Sequence, residues 1–193
     1  MRKINSKYEN PIDNILISIC EKIAPFFNKL NFTANKITTL SLLFGIISII
    51  FLYENYVITS LIFFVVAYFF DCLDGFYARK YNMVTDFGDK YDHIKDLIVY
   101  ILFFSVLYIK SKDKKKFFII MIFIIIFSIL SFIHLGCQQC LYNKDSEVGN
   151  TILNSFKSFC KKNPTKNINY TKYFGCGTFI LVIVICTLYL QKF

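Results

Sequence analysis

The chain has 193 residues, 55% of them hydrophobic with 23 Phe, and a formal net charge of +9. A run such as "FFIIMIFIIIFSILSFI" at 117–133 has no use in a water-soluble domain of this size, so composition excludes a soluble globular protein and points to one membrane domain. The positive charge fits lysines flanking membrane spans and facing anionic lipid, and with no interleaved basic and aromatic motif no nucleic-acid partner is expected.

Arg2, Lys3 and Lys7 precede no compact apolar run ending in a small-residue cleavage site, so a signal peptide is not expected. Residues 11–24 then place Ile12, Ile15, Leu16, Ile19 and Ile23 at helical spacing. Asp13, Asn14, Glu21 and Lys22 lie opposite. This predicts an amphipathic helix on the membrane surface, ended by Pro25. An ordinary packed helix is the other reading of the same pattern.

Five spans follow: about 37–53, from 57, to 109, 117–135 and 173–191. The second has 14 uncharged residues before Asp71, and the third has 13 from Leu97. A crossing helix needs about 20 residues. The second must therefore continue to about Arg79, and the third must begin near Gly88. Both then borrow from the stretch 71–96, "DCLDGFYARKYNMVTDFGDKYDHIKD", which holds six of the chain's 13 acids. The two helices meet at one membrane face through a short loop. Ionisable groups at that depth are costly and by default mark function.

Sixteen of the 22 basic residues fall on the side of the N-terminus if there are five spans. Six fall on the other, five of them in the Lys110–Lys116 loop. The acidic face is thus expected in the cytoplasm. The polar tract 142–172 carries no recognisable function; Thr151–Cys160 could form a short surface helix. Seven Cys lie mostly in or beside apolar segments. Cys137 and Cys140, with His134 before them, lack the second pair that a zinc site needs, so packing or incidental redox chemistry is expected there.

Asp71 and Asp74 are three apart, and Asp92 and Asp96 are four apart. Either spacing puts both carboxylates on one helix face. Four converging carboxylates stay ionised only with cations among them. Hard oxygen ligands select Mg²⁺, Mn²⁺ or Ca²⁺, and four can hold two ions, which suits chemistry at phosphate. Gly75 bares backbone, Ala78 keeps that face slim, and Arg79 offers a planar fork for phosphate. Gly88 opens a helix N-terminus that favours anions, and Thr85 could cap it or hold a phosphate oxygen. Asp86 and Asp89 read as acids capping or solvating that terminus. His93 could tune the site or face headgroups, and Lys95 is expected to point elsewhere, toward headgroups.

Asp71, Asp74, Gly75, Ala78, Arg79, Gly88, Asp92 and Asp96 match, gap for gap, the pattern D-x2-D-G-x2-A-R, eight residues, G-x3-D-x3-D. From average residue usage a chance match is about one in a billion or rarer. The chain thereby resembles the CDP-alcohol phosphatidyltransferase family. "NKIT" at 35–38 is similar to the segment opening that family's first membrane helix, which contacts the nucleotide. No specific likeness extends beyond about residue 135.

The resemblance implies an all-α integral membrane protein with an N-terminal amphipathic surface helix. The family usually has six transmembrane helices, and five are counted here. One membrane domain spans 1–193: a surface segment 1–34, four catalytic helices over 35–135, and the polar tract with the last helix over 136–193. It implies a phosphotransferase of phospholipid biosynthesis that joins an alcohol to a CDP-linked phosphate and releases CMP. Asp71, Asp74, Asp92 and Asp96 would hold two Mg²⁺ or Mn²⁺ ions, and Asp96 would be the catalytic base. Asn35, Thr38, Gly75, Ala78, Arg79, Thr85 and Gly88 would bind the CDP moiety. The partners implied are CDP-diacylglycerol, or CDP-choline or CDP-ethanolamine with diacylglycerol, together with membrane lipid and a homodimer mate. The Asp92-His93 pair is similar to the choline and ethanolamine branch. The location implied is the endoplasmic reticulum in a eukaryote, otherwise the inner or plasma membrane. The alternative is a divalent-cation channel or transporter, which explains the acids but not the glycines, Ala78 and Arg79 at fixed gaps.

Overall fold

The computed structural model describes residues 1–142, 156, 160 and 163–192. Among them there is no strand. A 3-10 turn at Ser6–Tyr8 leads to helices α1 (Pro11–Lys29), α2 (Ala34–Tyr53), α3 (Val57–Lys80), α4 (Asp86–Lys110) and α5 (Lys114–Tyr142). After the polar tract come α6 (Pro164–Thr171), a 3-10 turn at Lys172–Phe174 and α7 (Cys176–Lys192). The helix expected over Thr151–Cys160 lies outside the described residues, apart from Phe156 and Cys160.

Among the described residues four stretches are long and apolar enough to cross a membrane: α2, α3, α5 and Pro164–Gln191. α4 matches them in length at 25 residues, but acids crowd its first turns. As expected, α3 runs past Arg79 and α4 begins before Gly88. Half of the large apolar side chains of α5, Ile119 and Ile122 among them, are exposed, as a helix with one lipid-facing side requires.

The chain forms two compact units. The first takes Met1, Leu16–Ile119 and Val184–Phe193. In it α2 packs against both α3 and α4. Small residues on α2 permit this. Ser41 Oγ donates to the Ala67 carbonyl at 2.9 Å and Ser48 Oγ to that of Ser60 at 2.8 Å. A side chain at Gly45 would press on Val99 at 3.0 Å, so α4 approaches closely there. Phe64 stacks on Phe103 with ring centroids 4.5 Å apart, which ties α3 to α4.

Pro25 does not end α1, contrary to expectation. The helix continues to Lys29 because Phe27 is held edge-on by Phe32 and Phe70. Its apolar surface also divides. Cys20 and Ala24 pack with Ala34, Ile37, Leu73, Phe76 and Tyr77, while Ile15, Ile19 and Phe26 stay exposed for lipid. The packed-helix reading therefore holds for the buried strip, and an apolar strip is left exposed, as the surface reading expects.

Three helices end the same way. Asn31, Asn55 and Asn82 each adopt positive φ, of 54°, 66° and 55°. The next residue's N–H reaches back five residues, Phe32 to Phe27, Tyr56 to Phe51 and Met83 to Ala78. This closes the orphan carbonyls, with Asn in the place Gly more often takes.

The second unit takes Arg2–Ile15 and Ile120–Ile183 and is built on a buried polar knot. Asn10, fully buried, donates to the Lys172 carbonyl at 2.7 Å and to Thr178 Oγ1 at 2.8 Å. Its Oδ1 accepts from Ile12 N and Asp13 N, capping α1, so Asp13 is buried rather than on an outer polar face. Gln138 donates to Glu9 Oε1 at 2.6 Å and sits 3.2 Å from His134 Nε2. Cys137 forms a disulfide with Cys160, 23 residues on, rather than with Cys140.

Burial, with Asp13 second, pushes the Glu9 carboxyl above its ordinary range. The folded chain holds this proton more tightly than the unfolded chain does. Ionisation therefore costs nothing at acid pH and weakens the fold as pH rises through the raised range. Glu9→Gln keeps an acceptor for Gln138 and removes that loss. Thermal melts in detergent should coincide below the ordinary carboxylate pKa of about 4.3 and separate at neutral pH, with the variant more stable. Equal offsets at both pH values would contradict this origin.

Candidate active site

The site lies where the C-terminal half of α3 faces the first turns of α4. Oxygens of Asp71, Asp74 and Asp92 lie within 4.8 Å of one another. Asp74 is only 5% exposed, and its Oδ2 accepts no hydrogen bond from the described residues. Thr38 of α2 lies beside it, its hydroxyl also donating to the Ala34 carbonyl at 3.1 Å. A buried carboxylate oxygen without a donor is expensive unless a cation completes it. A donor set of three carboxylates suits Mg²⁺ or Mn²⁺.

Asp96 enters differently. Lys95, 2% exposed, places its Nζ among the acids instead of among headgroups, which corrects the sequence expectation. The ammonium pairs with Asp71 Oδ1, with Asp96 Oδ1 at 2.7 Å and with Asp92 Oδ1 at 3.0 Å. The Asp92 contact is an ion pair, and its oxygen accepts no further hydrogen bond among the described residues. Ser41 Oγ lies 3.2 Å from the same ammonium. The sequence does carry a signal for this: Lys95, Val99, Phe103 and Leu107 are the buried residues of α4 and recur every four residues. Lys95 continues the inward stripe.

The remaining expected residues group around this centre. The Arg79 guanidinium folds over Gly75, where an added Cβ would meet Nη1 at 3.2 Å, and Arg79 Nε donates to the Met1 carbonyl at 3.0 Å. Thr85 caps α4 by accepting from Gly88 N at 3.0 Å. At Gly88 a Cβ would come within 3.0 Å of Asn35 Oδ1 and 3.1 Å of Thr85 Oγ1, so these three meet at one helix N-terminus. Ala78 packs beside the cluster that includes Cys20 and Tyr77. Tyr91 and Thr39 share a 3.0 Å hydrogen bond between α4 and α2. Asp86 and Asp89 sit exposed in the first turn of α4, and His93 Nδ1 lies 2.6 Å from the Asp89 carbonyl, with both side chains more than half exposed.

The family model for CDP-alcohol phosphatidyltransferases matches residues 31–192. The chain belongs to the CDP-alcohol phosphatidyltransferase family. The match runs through α5, the polar tract and α7, beyond residue 135, where no specific likeness is legible residue by residue. No curated protein and no solved structure matches the chain. As a CDP-alcohol phosphatidyltransferase family member it is a transferase of phosphate-containing groups, a helical multi-pass membrane protein, and part of phospholipid synthesis. The family is metal-dependent, and the Asp71, Asp74 and Asp92 cluster fits that requirement.

Proposed function

We propose that the chain transfers a substituted phosphate from a CDP-linked substrate to an alcohol at the cytoplasmic face of its membrane, with release of CMP. One substrate is lipid and the other water-soluble, which explains a polar site at membrane depth. The observation that carries this is the buried Asp74 oxygen, without a donor among the described residues, beside Asp71 and Asp92, with Gly75 next in the chain and Arg79 one turn beyond Gly75.

Asp71, Asp74 and Asp92 would hold Mg²⁺ or Mn²⁺, which would supply Lewis-acid stabilisation of the diphosphate charge. Arg79 swings from the Met1 carbonyl to clamp a phosphate with its planar fork. Asn35, Thr85 and the Gly88 N-terminus face the nucleotide side, with Thr38 behind Asp74 and Ala78 keeping α3 slim. Asp96 accepts the proton of the alcohol hydroxyl. That oxygen bonds to phosphorus as the bond from phosphorus to the CMP oxygen breaks, and CMP leaves with the electron pair. That Asp96 is the most exposed of the three acids paired with Lys95 supports this role.

α4 is read as a span in addition to the four apolar ones, third in chain order, and the excess of lysine and arginine argues for α1 and the α3–α4 loop inside. The Cys137–Cys160 disulfide opposes this side, because cytosolic thiols are ordinarily reduced. Maleimide labelling of single cysteines at positions 82 and 112 in sealed membranes decides it: reagent outside should reach 112 and not 82. The compartment is the endoplasmic reticulum in a eukaryote, or the inner or plasma membrane otherwise.

The deciding assay gives purified protein labelled CDP-diacylglycerol with inositol, serine or glycerol phosphate. It then gives CDP-choline or CDP-ethanolamine with diacylglycerol, with Mg²⁺ or Mn²⁺ throughout. CMP release with one pair names the substrate; divalent-cation flux in proteoliposomes without CMP release from any pair would sink the reading. Within it, Arg79→Lys keeps the charge and loses the fork. The KM for the CDP substrate should rise about tenfold or more, since a charge-assisted hydrogen bond is worth about 1.5–3 kcal/mol. An unchanged KM would place Arg79 outside the substrate contacts.

A further inference from the structure

Lys95 is the charge that the acidic motif does not account for. Its ammonium is almost wholly buried and touches Asp71, Asp92, Asp96 and Ser41. We propose that Lys95 is a tethered cation filling the second cation position of the cluster, so that this chain binds one divalent ion where four convergent carboxylates would otherwise take two. The proposal deepens the metal-dependent reading above and rests on it.

Three arguments carry it. The first is occupancy. Asp96 is the acid that a second ion needs, and its Oδ1 lies 2.7 Å from Lys95 Nζ, with Asp92 Oδ1 at 3.0 Å from the same atom. A divalent ion bonds carboxylate oxygen at about 2.0–2.6 Å, so an ion on those oxygens would stand close to the ammonium, where like charges repel strongly. The second is charge. Four carboxylates carry four negative charges; one divalent ion and Lys95 offset three, whereas two divalent ions and a buried Lys95 leave an excess of positive charge. The third is anchorage. Lys95 stands at the head of the buried stripe Val99, Phe103 and Leu107 and is held from α2 by Ser41. Withdrawing it would strand a buried charge or move α4. Asp74, which forms no ion pair with Lys95 among the described residues, keeps an Oδ2 without a donor there, and the single ion would seat at that oxygen.

The test is the number of Mn²⁺ ions bound per chain, by equilibrium dialysis and electron paramagnetic resonance on purified full-length protein, with and without CMP. The expected count is one for the parent, with an uncoupled six-line spectrum. For Lys95→Met it is two, with the spin coupling of adjacent ions. Lys95→Gln serves as the second variant should the first fail to fold. A parent count of two, or a variant count that stays at one, overturns the tethered-cation proposal while leaving the metal-dependent reading intact. A parent count of zero overturns both.

Discussion

Asp96→Asn should abolish CMP release while leaving nucleotide binding nearly intact. The amide keeps the shape of the carboxylate but cannot take the hydroxyl proton. Loss of a general base alone costs about 10²–10⁴-fold in turnover. Binding should survive because Arg79, Thr85 and the Gly88 N-terminus are untouched. The control is Asp89→Asn. Asp89 shares a face of α4 with Asp92 and Asp96, yet its side chain is 55% exposed beside His93. It should keep most activity. Steady-state rates of both variants, with CMP affinity by calorimetry, make the comparison. Similar mild losses in the two would refute the assignment, and a dead Asp89→Asn beside an active Asp96→Asn would move the base one turn earlier.

Chelation should produce the other large effect. EDTA should remove activity entirely, and Mg²⁺ or Mn²⁺ should restore it. Asp74→Asn should weaken Mn²⁺ at least ~10-fold, a loss that even indirect supports of metal ligands produce. Turnover should fall with it at fixed metal and recover in part at high metal. Full activity in EDTA would end the metal-dependent mechanism. An Asp74→Asn variant with parental Mn²⁺ affinity would remove Asp74 from the ligand set. The chelated protein should stay folded, because Lys95 offsets much of the repulsion among Asp71, Asp92 and Asp96.

The acids are legible in the amino-acid sequence because residue type and spacing jointly demand convergence: three apart on α3, four apart on α4, on helices too short to cross without them. Thr85 is legible as a cap for the same local reason. Lys95 is not, since a lysine near a membrane surface ordinarily seeks water. Only its register with Val99, Phe103 and Leu107 betrays it, and that register competes with the expectation from charge. The length of α1 escapes a sequence reading because a proline rule is local, whereas Phe27 is held by Phe32 and Phe70 across the fold. The knot of Asn10, Glu9 and Gln138 joins residues more than a hundred positions apart, and no local pattern announces that. The helix ends at Asn31, Asn55 and Asn82, each before a large apolar residue, carry a signal that composition alone does not weigh.

The closure of α3 at Asn82 bears on which sequences this fold can tolerate. Between Lys80 and Asp86 the connection has almost no free residue. Tyr81 N and Met83 N are bonded back to Tyr77 and Ala78, Met83 packs into the core, and Thr85 starts α4. A helix turns about 100° per residue. One residue inserted or deleted here cannot be absorbed as slack. It either breaks a cap or rotates α4, carrying Asp92 and Asp96 away from Asp71 and Asp74. The eight positions between Arg79 and Gly88 thus behave like the teeth of a gear: their identity is free to drift at Val84 or Phe87, both exposed, but their number is not.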